Sequence, residues 1–426
     1  MIDKNEQTIF SEVSKARLKE KKIILDKALG GHFPEDLHKK RVRMVENKAL
    51  AISTLVNIVT ISTLVVFVIG GNHSSLGVGG SPNYRSSLNT DSSTIISSTE
   101  EKENLSPIKY GFNTHVHAVL DSPQDNMTLD TFKKGVDILA SNNLDIIRID
   151  IRANEITNKG FNLNEVNFNN NIQVYDEAIR YAKEKGLNVF LVTNVPEFAS
   201  TYSHSNYQKI TADFYTKLIL RYNEQLGEED VIQIFNEPNK HSYRDHSELS
   251  IPLDSRYLRE LSKTIETASK SIKSVNKKVI VTSNFSHWIG RNEELTVFGP
   301  AFFDEIKGID AISLNLFPDD KADEIARLPE YIKFFSERYK KPVYLAEIGL
   351  PTLVFSQYDQ GNSLSNSINA LQNGEVRPAG IIIHELFDVT SSWKEAEKTF
   401  GIYYSNGTPK QSAFPVINAM LDENKN

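Results

Sequence analysis

Cysteine is absent from all 426 residues, which excludes disulfides, thiolate metal sites and a cysteine nucleophile together. A cysteine-free domain outside the cytoplasm needs no oxidative folding machinery, which suits a bacterial surface better than a vertebrate secreted protein. Positive charge is also in deficit. The chain carries 48 Lys and Arg against 55 Asp and Glu, a formal net charge of -7, whereas a phosphate-binding surface needs clustered positive charge. Nucleic acid is therefore excluded as the main partner. No Gly-rich turn follows the first predicted strand, so the phosphate-binding turn of a dinucleotide-binding sheet is missing too. What is present, 39% hydrophobic and 24% charged residues, supplies a core for one large domain with appendages or for two or three small ones.

Charge disappears between Ala49 and Gly71, a run of Leu, Ile and Val broken only by Ser, Thr, Ala, Phe, Gly and one Asn. Roughly 20 helical residues cross a hydrocarbon core, so this run reads as a single transmembrane helix rather than a cleaved leader. Lys39, Lys40, Arg41, Arg43 and Lys48 precede it, and the next basic residue is Arg85. The positive-inside bias puts residues 1–48 in the cytoplasm and everything after 71 outside, at the cell membrane. An amphipathic helix is expected within 1–48. Residues 72–107 are dominated by Ser, Gly, Asn and Thr and read as a flexible linker. The patterned domain occupies 108–426.

In that domain short apolar runs alternate with longer amphipathic stretches. The expected strands are Lys109–Asn113, Asp145–Ile151, Asn188–Thr193, Val231–Phe235, Lys278–Thr282, Ala311–Leu316, Val343–Ala346 and Gly380–Ile383. The expected helices are Thr128–Ser141, Asn171–Lys185, Thr211–Leu226, Ser255–Val275, Ala322–Tyr339 and Ser363–Asn373. The strand runs are nearly continuous in Val, Ile and Leu, as for parallel strands covered on both faces. Unbroken strand–helix alternation predicts an α/β fold of the (β/α)8 TIM-barrel type rather than a doubly wound sheet.

Active sites of such barrels lie at the C-terminal ends of the strands. The fourth strand runs into Asn236-Glu237-Pro238-Asn239 and the seventh into Glu347-Ile348-Gly349. Two carboxylates at two strand mouths can face one cleft. Cleavage of a glycosidic bond needs such a pair, one acid to protonate the leaving oxygen and one carboxylate to attack the sugar or activate water. An isolated Glu on a strand is more often one half of a structural ion pair; it is the joint placement that points to catalysis.

These two motifs resemble glycoside hydrolase clan A, most of all family 39 and its bacterial exopolysaccharide-hydrolase relatives, with family 5 next. The likeness extends over roughly Lys109 to Leu421, and Phe400-Gly401-Ile402 with Gly407-Thr408-Pro409-Lys410 resembles the clan's run into its last helix. The resemblance implies Glu237 as general acid/base, Glu347 as nucleophile and Asn236 as ligand of the sugar 2-hydroxyl. It also implies that Arg148 keeps the nucleophile ionised, and that the carboxylates are spaced for retention through a glycosyl-enzyme. No metal or cofactor is implied. The clan's sixth strand usually ends in His-x-Tyr, whose Tyr contacts the nucleophile, but here it reads Asn315-Leu316-Phe317. That departure leaves the nucleophile to Arg148, with Tyr344 and Asn284 as further candidates.

Other candidates border the expected mouth. Trp288, Trp393, Tyr202 and Phe198 sit where aromatic faces could stack on sugar rings, or could simply pack within loops. His384, Glu385 and Asp388 follow the eighth strand. His115 and His117 follow the first, as sugar contacts or structural histidines. His115-Val116-His117 also resembles the first two ligands of a metal-dependent amidohydrolase, with Asp388 as its last-strand Asp, but the remaining ligand positions are unfilled apart from Glu237 and His287. A third reading is a non-catalytic barrel that binds polysaccharide within an export complex. The favoured expectation is a membrane-anchored retaining glycosidase acting on exopolysaccharide or another surface polymer, alongside polysaccharide-export machinery.

Overall fold

The computed structural model describes residues 106–422, apart from 121, 123, 158–164, 194–203, 240–254, 289–291 and 393–394. The cytoplasmic segment, the uncharged run at 49–71 and nearly all of the linker thus lie outside the described residues. Among the described residues no helix is long and apolar enough to cross a membrane.

Eight parallel strands close into a barrel in chain order, each hydrogen-bonded to the next and the last to the first. They are β1 (Lys109–Asn113), β2 (Ile146–Ile151), β3 (Asn188–Thr193), β4 (Val231–Gln233), β5 (Ile280–Trp288), β6 (Ala311–Phe317), β7 (Val343–Ile348) and β8 (Gly380–Ile383). The helices around them include α1 (Leu129–Ser141), α2 (Ala153–Ile156), α3 (Glu165–Glu184), α4 (His204–Tyr222), α5 (Ser255–Val275) and α6 (Asn292–Glu305). After β6 come α7 (Ala322–Ala326) and α8 (Leu328–Tyr339), then α9 (Gln357–Gln372) and α10 (Ala413–Leu421), with a 3-10 turn at Ala396–Thr399.

Alternation along the strands separates two cores. Ile146, Phe190, Val192, Val231, Ala311, Tyr344, Ala346 and Ile382 form one buried cluster, which is the floor of the barrel interior. Their sequence neighbours Ile147, Leu191, Ile232, Ile312, Leu345 and Ile381 belong to the much larger cluster under the helices. A period of two sends successive side chains to opposite faces, so one strand serves both cores. Helix ends are set by local chemistry. Thr128 caps α1 by accepting from the Thr131 amide, and Ser356 with Asp359 forms a reciprocal capping box on α9.

Strands β1, β3 and β8 and helix α5 match the sequence expectation in extent, while four departures have physical causes. Strand β4 is shorter than Val231–Phe235 because Phe235 takes a left-handed backbone (φ 64°). Strand β5 runs on to Trp288 because β6 stays paired with it as far as Phe317. The stretch expected as one helix over Ala322–Tyr339 breaks at Arg327 into α7 and α8, with Pro329 in the first turn of α8. Helix α6 was not anticipated; it carries Pro300 inside it, a residue that reads locally as a breaker.

Gly111 on β1 pairs with Ile146 on β2, and a Cβ there would lie 2.1 Å from the Ile146 carbonyl oxygen. Neither strand can retreat without opening the barrel. Gly111→Ala is expected to lower stability by about 3 kcal/mol or more, seen as a lower urea midpoint with an unchanged m-value.

Candidate active site

Towards the C-terminal ends of the strands the inward positions turn polar. Asn113, Arg148, Gln233, Asn284 and Asn315 are each at most 1% exposed. Four of them keep the parity of the apolar floor on their strands: Arg148 is two residues past Ile146, Gln233 two past Val231, Asn284 four past Ile280 and Asn315 four past Ala311. A buried guanidinium needs an anion and acceptors around it, or its desolvation goes uncompensated. Arg148 has both. Its Nη2 lies 2.5 Å from Glu347 Oε1 and donates to Asn236 Oδ1 at 3.1 Å, while Nη1 donates to Asn113 Oδ1 at 3.1 Å.

Glu347 reaches this layer through an irregularity in β7. Tyr344 and Ala346 belong to the interior floor, so strict alternation would turn Glu347 outward. The register instead shifts by one residue: Leu345 opposes Leu314, and Glu347 opposes Asn315. The matching shift against β8 falls between Leu345 and Ile348. One extra residue in β7 re-aims the carboxylate to the inside, a common use of a bulge beside a site.

The Glu237 turn is held by side chains from three neighbouring elements. Phe235 and Glu237 both adopt positive φ (64° and 49°), an unfavourable region for side chains of this kind. The Phe235 amide donates to the Tyr215 hydroxyl on α4 at 3.2 Å, and Gln233 Nε2 donates to the Phe235 carbonyl at 3.0 Å. From β5, Ser283 Oγ donates to the Ile234 carbonyl and Asn284 Oδ1 accepts the Glu237 amide at 2.7 Å. Asn239 exchanges two hydrogen bonds with the Ser286 backbone. The side chain of Glu237 accepts from Asn315 Nδ2 on β6 at 3.1 Å. Asn236 Oδ1 receives Arg148, Gln233 and Asn284, which fixes the orientation of its amide.

At the mouth of β8, His384 Nδ1 is 3.9 Å from Glu347 Oε2, and its Nε2 is 3.6 Å from Glu385 and 3.7 Å from Glu397. Burial opposes charge on this imidazole, but Glu385, Glu347 and Glu397 outweigh it and raise its pKa to about 9. His115 binds Glu385 through Nε2. There too burial is outweighed by Glu385 and Asp150, and the pKa is raised. Phe317 presents an edge to His384 with ring centroids 6.1 Å apart.

Several sequence candidates land elsewhere. His117 is buried beside Asp125 at 3.5 Å, and burial together with Arg152 and His115 pushes its pKa down to about 3; it is a structural histidine. Asp388 pairs with the buried Lys410 at 2.7 Å and closes the C-terminal segment instead of lining the mouth. Asn284 serves Glu237 and Asn236, not Glu347. Tyr344 packs on Phe190 in the floor. Trp288 ends β5 opposite Phe317, and its side chain is not among those described. Phe198, Tyr202 and Trp393 lie outside the described residues. Sequence reasoning missed Asn113, Gln233, Asp150 and Glu397. The first three share inward parity with Arg148 or the floor residues, a signal that strand alternation carries; Glu397 reaches His384 from a loop and has no such signature.

The amidohydrolase arrangement is not assembled. Among the described residues no three His, Asp or Glu side chains are placed to hold a metal ion, and His115 and His117 engage different carboxylates. A family model described as cellulase (glycosyl hydrolase family 5) matches residues 104–306. The β-glycosidase BGL167 superposes with a TM-score of 0.57 at 13% identity, over 74% of this chain and 96% of that one. A β-glucosidase from Thermotoga maritima in complex with cyclophellitol gives 0.55 at 14% identity, over 74% and 98%. A family 39 glycoside hydrolase from Bacteroides cellulosilyticus WH2 gives 0.53 at 14% identity, over 74% and 63%. At such identities the solved structures establish the shared fold. No curated protein sequence is significantly similar to the chain.

Removing Arg148 would strand a buried carboxylate. Arg148→Met is expected to destabilise the barrel by about 3–5 kcal/mol at neutral pH. In urea titrations the deficit should shrink as pH falls through the carboxylate range, because the folded variant then takes up a proton more readily than the unfolded chain. A guanidinium-held Glu at one strand mouth, a pinned Glu at another and a family-5 cellulase match from β1 through β5 together indicate a glycosidase and support a clan A (β/α)8-barrel glycoside hydrolase.

Proposed function

We propose that the barrel hydrolyses a surface polysaccharide with retention of configuration, Glu237 serving as general acid/base and Glu347 as nucleophile. The observation that carries this reading is the pair of carboxylates held in different ways at one end of the barrel. Glu347 is buried against Arg148, a setting that favours its anion. Glu237 is bound by a neutral amide, Asn315, and can take up and give back a proton.

In the first step Glu347 attacks the anomeric carbon while Glu237 gives its proton to the departing glycosidic oxygen, forming a glycosyl ester. In the second, Glu237 takes a proton from water as that water attacks the same carbon and releases Glu347. Asn236, whose Oδ1 is held by three donors, is assigned the sugar 2-hydroxyl. The cellulase description of the matched family favours a β-linked polymer.

Residues 49–71 are proposed to anchor the chain in a cell membrane with 1–48 inside and the barrel outside, on the strength of the uncharged run and its basic flank. The substrate would then be a polymer at the cell surface, first of all an exopolysaccharide trimmed as it leaves export machinery. The membrane, the linker and the export partner stand as parts of this proposal.

Incubation with purified exopolysaccharides and β-linked glucans should yield new reducing ends, and NMR of the first-formed product should show the anomer of the substrate. Glu347→Gln is expected to lose about 10³-fold or more in kcat. Glu237→Gln should lose as much on the polymer yet retain glycosylation by an aryl glycoside whose leaving group needs no acid. Binding of a polymer without turnover by the wild type would point instead to a non-catalytic polysaccharide-binding barrel.

A further inference from the structure

The end of β6 offers Glu347 no hydroxyl, because Phe317 stands there. A basic side chain that faces the second oxygen of Glu347 comes from β8. Arg148 engages Oε1, and His384 Nδ1 stands 3.9 Å from Oε2. The two oxygens therefore look towards two different basic side chains.

The placement is built into the backbone. The His384 amide donates to the Ile348 carbonyl at 2.8 Å, one residue past Glu347. Two residues past it, Gly349 allows the strand ends to close: a Cβ there would sit 2.3 Å from the His384 carbonyl oxygen. The imidazole plane is set by Phe317 and Phe400, whose ring centroids lie 6.1 and 4.9 Å away. Its other polar neighbours are Glu385 and Glu397 at Nε2 and the Asn113 amide, 3.5 Å from Nδ1. His115 acts on it through the shared Glu385.

We infer that His384 is a positioning residue for Glu347, a cation at the end of β8 that holds the second carboxylate oxygen. The inference rests on the reading of Glu347 as nucleophile. A separation of 3.9 Å is too long for a hydrogen bond, so His384 acts on Glu347 by charge. That charge is maintained at neutral pH, since the three carboxylates facing the ring outweigh its burial. Glu385 and Glu397 hold the Nε2 side and keep the ring from turning away.

Two measurements on the full-length chain test this. With histidine labelled at Cε1, NMR titration should place the His384 pKa well above the ordinary value. Glu347→Gln should lower it by about one pH unit or more; a His384 titration unchanged by that substitution overturns the inference, whatever the sugar proves to be. In kinetics, His384→Gln should lower kcat by about 10-fold or more with little change in KM, and move the acidic limb of the kcat/KM profile to higher pH. A loss of kcat with an unmoved acidic limb would mark His384 as packing only and overturn the inference. If no polymer or aryl glycoside is turned over, the hydrolase reading fails while the titration still decides the His384–Glu347 coupling.

Discussion

A guanidinium enclosed by a barrel must be answered by charge, and in this chain the answer organises the whole site. Arg148 is 1% exposed, where an unpaired cation would be penalised by several kcal/mol. Its partners come from three strands or strand ends, Glu347 from β7, Asn236 past β4 and Asn113 from β1, around Arg148 itself on β2. The same contacts that settle the Arg hold the carboxylate of Glu347 in place and fix the amide orientation of Asn236. Structure and chemistry share one constraint, so losing the cation would unsettle both.

Glu237 is managed by the opposite means. Its backbone is held in a left-handed turn by Asn284 and its carboxyl by Asn315. Two residues with positive φ so close together carry a penalty of about 1–3 kcal/mol each. The Tyr215 hydroxyl, Gln233, Ser283 and the Asn239–Ser286 pair supply the hydrogen bonds that offset it. On the proposed mechanism, the neutral amide of Asn315 suits a group that must change protonation state, whereas a fixed cation suits one that must stay charged.

Around the β8 mouth the histidines divide by environment, not by sequence spacing. His115 and His384 face carboxylates that outweigh burial. His117, two residues from His115, is buried among groups that disfavour its charge. Period-two alternation puts His115 and His117 on the same side of an extended strand, but both lie past the end of β1, where the chain has left the sheet. Spacing therefore misled where the strand had already stopped, and the resemblance to a paired metal motif dissolves for the same reason.

Alternation of apolar runs with amphipathic stretches was enough to establish eight strands in order, because each strand must bury one face inside the barrel and one under a helix. The placement of Glu237 and Glu347 at strand ends was legible for the same reason, whereas Arg148 was singled out only through the family resemblance. Local pattern could not anticipate helix α6, since Pro300 reads as a breaker until tertiary packing holds the helix around it. Nor could it show that Asn284 turns to Glu237, because that depends on where β5 stands beside β4. Above all, parity counted from Tyr344 and Ala346 would turn Glu347 outward. The extra residue in β7 that brings it to Arg148 is a register shift between paired strands, and register exists only once the barrel has closed.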